Sequence, residues 1–137
     1  MGTPLPGRPV RGSSSGRPLM AAMDLLSRRW ALRLCWELRD GPVGARALLA
    51  RCEGLSSSVL YQRLADLTTA GLVTSGPPGY TLTDLGTSLG PALSALDDWA
   101  VTWAGSLRSD DEPEEHGPAP LIDPSQRLSP GKNRSRR

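Results

Sequence analysis

The spacing of apolar residues between positions 44 and 71 constrains the fold of this 137-residue chain more than any other feature. The segment "GARALLARCEG" (44–54) has its apolar residues on one side of a short helix. In "SSSVLYQRLADLTTAG" (56–71), leucines recur at spacings of four and three, Ser56 is a favourable N-cap, and Gly71 is a favourable terminator. Only "EGLS" joins the two helices, and this tight connection predicts a helix-turn-helix unit.

Further elements are predicted on both sides of this unit. A short helix is predicted over residues 19–28, and a second begins near Trp30 and stops at Gly41-Pro42. The segment "LVTSGPPGYTLT" (72–83) consists of two short apolar or β-branched pieces around "SGPPG", which predicts a β-hairpin, and Thr83 then caps a last helix. The sequence therefore predicts a mainly α fold with a small β-hairpin, a winged helix-turn-helix domain.

Composition divides the chain into a folded centre and two tails. Residues 1–18 contain four prolines and four glycines without apolar periodicity, and residues 109–137 are acidic first and basic afterwards. Neither tail contains enough apolar surface to offset the chain entropy lost on folding, so we expect both to be disordered. The winged domain is expected to occupy residues 19–108.

The last predicted helix carries a regular apolar seam. From Leu89 onwards its apolar positions are spaced 4, 3, 4, 3 and 4 residues apart, a period of 3.5, and Trp99 lies beside them. A seam of this period requires a partner helix. The predicted dimer interface consists of Leu89, Leu93, Leu96, Trp99, Ala100, Trp103 and Leu107.

Polar side chains occupy the face of the 56–70 helix that the leucines leave free. The second helix of a helix-turn-helix unit enters the DNA major groove and reads bases with its N-terminal residues. Gln bonds adenine edges, while Ser, Tyr and Arg bond bases or phosphates. The predicted DNA-binding residues of this helix are Ser56, Ser57, Ser58, Tyr61, Gln62 and Arg63. The local pattern fits an ordinary solvated helix face equally well.

The chain resembles the HxlR family of bacterial winged helix-turn-helix transcription regulators. The resemblance spans roughly residues 17–104 and rests on "RRW", "DGP", "GLSSSVLYQRLADLTTAGLVT" and "YTLTDLGTSLGPALSALDDWA". It implies a homodimer formed through the first and last helices, a recognition helix at 56–70 and a wing at 74–82. It also implies that Arg28 and Arg29, just before the second helix, are DNA-binding residues near the DNA backbone. The function it implies is sequence-specific binding of double-stranded DNA by a homodimeric, repressor-like regulator.

Several departures from the family pattern favour an alternative function. The family commonly has basic residues after "DGP", in the wing and at position 58, whereas this chain has "VGARAL", an uncharged "SGPPG" and Ser58. Residues 19–108 contain eight basic and eight acidic residues, so the predicted domain is formally neutral. A winged-helix protein-interaction module with weak or no DNA binding is the alternative.

The cysteines and Trp36 each admit two interpretations. Many family members sense oxidants through a cysteine before the first helix, but the resemblance places Arg17 there. We expect Cys35 and Cys52 to be small buried hydrophobes rather than redox sensors. Trp36 either packs under the dimer helix or lines a pocket for a small-molecule effector whose identity the sequence does not give.

Other function classes find little support in the sequence. The single histidine, His116, lies in the acidic tail, and no nucleophile has a base partner at a recognisable spacing. We therefore expect neither an enzyme nor a metal or other cofactor. No segment approaches transmembrane length and no secretion signal is recognised, so we expect a cytoplasmic protein that does not bind membranes.

Overall fold

The computed structural model describes residues 2–111, with the side chains of 110 and 111 excepted, and shows a mainly helical fold with one hairpin. The predicted fold class is confirmed. The C-terminal tail from residue 112 lies outside the described residues. The elements in chain order are α1 (Pro18–Leu26), α2 (Ala31–Glu37), α3 (Ala45–Arg51), α4 (Ser57–Thr69), β1 (Val73–Gly76), β2 (Gly79–Leu82), α5 (Asp84–Thr87) and α6 (Gly90–Asp111).

The core lies beneath α4, and its position follows from the leucine spacing of that helix. Leu60, Leu64 and Leu67 are at most 2% exposed, and they pack against residues of α2 and α3 such as Leu34 and Leu48. Burial of apolar surface on this scale supplies the main favourable free energy of folding. Because the leucines point inward, the opposite face of α4 must face solvent.

The ends of α4 confirm the predicted capping residues. The Ser56 hydroxyl accepts a hydrogen bond from the backbone N–H of Val59 at 3.2 Å, so it satisfies one amide of the first helical turn. Gly71 follows the helix at φ +87°, a conformation that glycine adopts without steric cost. The helix therefore occupies almost the whole predicted range.

The hairpin is tied to the segment that precedes α3. β1 and β2 pair antiparallel with Val73 opposite Leu82 and Gly76 opposite Gly79. Val43 and Tyr80 exchange two backbone hydrogen bonds of 2.9 Å, which places β2 between β1 and residue 43. A Cβ atom on Gly79 would lie 2.7 Å from the Val43 carbonyl carbon, so this close approach requires glycine.

The chain after the hairpin forms two helices rather than the single helix expected from sequence. The Thr83 hydroxyl accepts a hydrogen bond from the Gly86 N–H at 3.0 Å, which confirms the predicted cap. However, α5 ends at Thr87 and α6 begins at Gly90. Pro91 has no N–H to donate to the Thr87 carbonyl, and it is well tolerated only in the first turn of a helix.

The N-terminal arm, residues 2–17, follows a defined path and differs from the disordered tail expected from its composition. Val10 and Ser13 form an isolated antiparallel bridge, and the Gly7 N–H donates to the Gly16 carbonyl at 2.9 Å. Pro4 is buried beside α1. Proline restricts φ, and the positive φ values of the arm's glycines close its turns, so the arm is ordered without helical periodicity.

The contacts divide the chain into two compact units, with the boundary between Leu96 and Asp97 within α6. In the second unit, the rings of Trp99 and Trp103 stack with centroids 5.5 Å apart. α6 extends beyond the predicted domain boundary at residue 108 to Asp111. No helix in the described part of the chain is both long and apolar enough to cross a bilayer.

Candidate nucleic-acid interface

The first two turns of α4 present a continuous polar surface to solvent, which we call the reading face: Ser57, Ser58, Tyr61 and Gln62. All four residues are exposed, and Tyr61 retains 51% of its surface. Residues 57 and 61, like 58 and 62, are separated by one helical turn and therefore lie side by side. These residues provide hydroxyl and amide groups able to bond base edges or phosphates.

Ser56 differs from the other predicted contacts because its hydroxyl already has a structural role. The oxygen accepts from the Val59 N–H and lies 3.4 Å from the Ser58 hydroxyl. The hydroxyl remains exposed and able to donate a hydrogen bond. Its main effect is to fix the first turn of α4, on which the reading face depends.

Arg28 and Arg63 share one acidic partner, Asp66. Each places its Nη1 atom 3.2 Å from Asp66 Oδ2, and both arginine side chains are only 19% exposed. Thr3 donates to the other carboxylate oxygen at 2.8 Å, and Arg28 Nη2 donates to the Gly2 carbonyl at 2.9 Å. These contacts hold both guanidinium groups against the protein. Of the three arginines among the predicted DNA contacts, Arg28 and Arg63 are therefore the two whose charge is already paired.

Arg29 lies in the turn before α2 and is exposed. Its carbonyl accepts a 2.9 Å hydrogen bond from Arg63 Nε, which links this turn to α4. The next residue, Trp30, adopts φ +76°, which is unusual for a residue other than glycine. The strained turn and the Arg63 bond together position Arg29 relative to α4.

The wing presents no charged side chain. Residues 74–78 are exposed and consist of Thr, Ser, Gly and two prolines. Pro77 and Pro78 have no backbone N–H with which to bond a phosphate. Any contact between this wing and DNA would rest on hydroxyl groups and on shape.

Sequence reasoning missed two residues of this region. Asp66 organises Thr3, Arg28 and Arg63, yet the only local signal was its position three residues after Arg63. Arg46 is exposed on α3, the first helix of the helix-turn-helix unit. First helices of such units cross the DNA backbone, so an exposed arginine there was recognisable from the sequence.

Both cysteines are inaccessible. Cys35 and Cys52 are fully buried, and desolvation raises the pKa of the Cys35 thiol to about 11. Burial likewise raises the pKa of Cys52, although the nearby Arg33 and Arg51 oppose this shift. A buried neutral thiol is a poor nucleophile, which agrees with a packing role.

Trp36 is half-buried and packs against the core. The Arg39 guanidinium lies 3.8 Å from the centroid of its ring, a cation–π geometry. These contacts place Trp36 against the core of its own chain, and whether it also packs under the dimer helix or lines an effector pocket stays a prediction.

The residues of the predicted dimer interface fall into two groups. Leu93 is 7% exposed and Leu89 is half-buried, and both pack onto the core of their own subunit. Four side chains further along α6 remain about half exposed: Leu96, Trp99, Trp103 and Leu107. Ala100 is intermediate. The second group forms a large apolar surface on α6 that no residue in the described part of the chain covers.

Two consecutive helices joined by a tight turn and followed by a hairpin define a winged helix-turn-helix protein. The chain matches the model of the HxlR-like helix-turn-helix family over residues 25–107. The chain therefore belongs to this family, as its motifs indicated.

Named relatives agree with this assignment. The uncharacterized HTH-type transcriptional regulator YvaP of Bacillus subtilis (strain 168) is 34% identical in an alignment 89 residues long, which covers 60% of this chain and 82% of YvaP. The structure of quinone-bound YodB from B. subtilis matches with a TM-score of 0.58 at 30% identity, covering 62% of this chain and 97% of YodB. A structure described as a MarR-family transcriptional regulator of Enterococcus faecalis V583 matches with a TM-score of 0.57 at 33% identity, covering 64% and 86%.

Proposed function

We propose that this protein regulates transcription as a homodimer that binds double-stranded DNA through α4, in the manner of a repressor. The observation that carries the proposal is the reading face, which is exposed on the second helix of a helix-turn-helix unit. Membership of the HxlR-like family and the transcriptional regulator YvaP support the same function.

In the proposed complex, the two subunits pair through α1 and the apolar surface of α6. Each subunit then presents its α4 to one half of a pseudo-palindromic operator, with the half-sites about one DNA turn apart. Gln62 bonds a base edge, Ser57, Ser58 and Tyr61 bond neighbouring bases or phosphates, and Arg29 bonds the DNA backbone. Bound near a promoter, such a dimer blocks polymerase.

The decisive experiment compares Gln62→Ala with Thr69→Ala, a change at the exposed last residue of α4. An operator is first selected from random duplexes with the wild-type protein. Gln62→Ala is expected to weaken operator binding by about 1–3 kcal/mol and to relax the preference at one base pair. Thr69→Ala should leave the operator affinity and the base-pair preference unchanged. If Gln62→Ala binds the operator with wild-type affinity and selectivity, the reading-face assignment fails.

A protein-interaction module is the second candidate, and the uncharged wing and the paired Arg28 and Arg63 favour it. Such a module would bind operator and scrambled duplexes equally weakly, and random-duplex selection would yield no common site. A regulator that reads bases with few phosphate contacts would instead bind its operator selectively and with a shallow salt dependence.

A further inference from the structure

A cavity of about 620 Å³, lined by both charged and apolar residues, lies between the N-terminal arm and the α1 region, and we call it the basic cavity. Its charged lining residues are Arg8, Arg11, Arg28 and Asp24. Three guanidinium groups and one carboxylate give these described lining residues a net charge of +2. A concave surface with this balance is suited to an anion.

The backbone of the arm holds two of these arginines in place. The Gly7–Gly16 hydrogen bond and the Val10–Ser13 bridge close a compact loop that carries Arg8 and Arg11. Gly16 has φ +73°, and a Cβ atom there would overlap the Arg8 carbonyl oxygen. The loop therefore depends on glycine at this position, and it presents its arginines from a fixed backbone.

The acid of the cavity does not neutralise these arginines. Asp24 Oδ2 accepts from the backbone N–H of Arg11 at 3.0 Å, so this carboxylate fixes the loop. Within the described residues, no carboxylate lies within ion-pair distance of the Arg8 or Arg11 guanidinium. Arg28, by contrast, is bonded to Asp66 and to the Gly2 carbonyl. Arg8 and Arg11 are the groups able to bind an added anion.

Two residues that line the basic cavity bond directly to α4. Arg28 lines the cavity and contacts Asp66, which lies one helical turn beyond Gln62 on the same side of α4. Thr3, another lining residue, also bonds Asp66. An anion in the cavity would therefore lie beside the C-terminal half of α4, next to the reading face.

We propose that the basic cavity binds a phosphate group through Arg8 and Arg11, and that the phosphate belongs to the DNA backbone beside α4. The assignment to DNA rests on the proposed function. Arginine guanidinium groups bond phosphate oxygens in bidentate fashion, which suits two arginines held on one loop. The arm thereby supplies positive charge that the wing lacks.

The test compares full-length wild-type protein with an Arg8→Ala/Arg11→Ala variant. The control, Arg39→Ala/Arg108→Ala, removes the same charge from exposed positions outside the cavity. Binding to a random-sequence duplex is measured at several salt concentrations. The arm variant is expected to lower the slope of log affinity against log salt by about 1.8 for the proposed dimer, because each of the two subunits loses one phosphate contact and each contact contributes about 0.9. The control is expected to keep the wild-type slope.

A second measurement separates DNA phosphate from the phosphate of a small ligand. The unfolding temperature is compared in inorganic phosphate and in chloride at equal ionic strength. One outcome is that phosphate raises the unfolding temperature of the wild type but not of the arm variant, while the salt slope of DNA binding is the same for both proteins. This outcome keeps the phosphate site and assigns it to a small phosphorylated ligand. An unchanged slope with no phosphate-dependent rise overturns the proposal. If the wild-type protein binds no duplex, the proposed function fails, and the phosphate measurement alone decides the site.

Gly16→Ala provides an independent variant that retains every charge. An added Cβ would disrupt the loop, so we expect the same loss of slope as in the arm variant. Gly90→Ala is its control, because a Cβ there meets no atom within 4 Å. A wild-type slope in Gly16→Ala would contradict the requirement for a fixed loop.

Discussion

At the scale of single residues, Asp66 has the largest structural role in the candidate interface. Its two carboxylate oxygens accept hydrogen bonds from three side chains: Thr3 of the N-terminal arm, Arg28 of the turn before α2, and Arg63 of α4 itself. Asp66 itself is only 15% exposed. Charge-assisted hydrogen bonds with so little exposure are stronger than those of surface ion pairs.

Asp66→Ala is expected to lower the free energy of unfolding by about 1–3 kcal/mol, because two partly buried guanidinium groups lose their acceptor. Chemical denaturation measures this change. Asp40→Ala is the control: its carboxylate is 86% exposed, so the expected change is within about 0.5 kcal/mol. Equal effects of the two substitutions would show that the Asp66 cluster contributes no more than a surface pair.

The buried Cys35 thiol predicts a specific pH dependence of stability. Its pKa is raised from 9.0 to about 11 in the folded chain, so between these values the unfolded chain loses the proton first. The contribution of this thiol is complete below pH 9 and is lost as the pH rises towards 11. Denaturation at several pH values should show a larger loss in the wild type than in Cys35→Ala, which keeps only the contribution of the buried Cys52 thiol. If Cys35→Ala loses as much stability as the wild type above pH 9, groups other than Cys35 cause the loss.

At the scale of elements, the wing depends on a backbone contact rather than on side chains. β2 bonds residue 43 through Tyr80, and Gly79 makes the close approach possible. Gly79 has φ +128°, a backbone conformation that residues with a side chain rarely adopt. The wing is thus anchored through the start of β2, next to its turn, while the two prolines of the turn remain exposed.

Gly79→Ala is expected to destabilise the protein by about 1–3 kcal/mol, because the new methyl group meets backbone atoms and the conformation is strained. Gly76→Ala, on the opposite strand, is the control: its Cβ would make only an ordinary 3.7 Å contact with Pro78. Thermal unfolding of both variants checks this prediction. A Gly79→Ala protein as stable as Gly76→Ala would show that the wing moves away from residue 43 at little cost.

At the scale of the whole molecule, the exposed apolar surface of α6 points to self-association. Trp99 and Trp103 are 57% and 53% exposed, and their rings stack on one side of the helix. Apolar surfaces of this kind on a soluble protein usually mark an interaction site. The period of 3.5 in the sequence favours a second helix as the partner.

Trp103→Lys is therefore expected to shift the protein from dimer to monomer in sedimentation equilibrium, because a charged side chain is unfavourable in a packed helix interface. Val101→Lys is the control, since Val101 is 66% exposed and lies off the seam. We expect this control to remain dimeric. A monomeric wild-type protein at micromolar concentration would refute the proposed dimer.

Local rules determined much of the fold from the sequence alone. The burial of Leu60, Leu64 and Leu67 follows from helical spacing, and the caps at Ser56 and Thr83 follow from the bonds that a hydroxyl makes to nearby amides. The hairpin likewise follows from the turn residues between its strands. These features depend on residues within a few positions of one another.

The exposure of the reading face also followed from the sequence, because it is the reverse of a leucine face. Tertiary structure decided which arginines retain free charge. Arg28 meets Asp66 across 38 positions, and Thr3 meets it across 63. The bond between the wing and residue 43 is of the same kind, and so is the contact of Arg11 in the N-terminal arm with Asp24. Such contacts depend on how the folded chain brings distant residues together, and no local pattern encodes them.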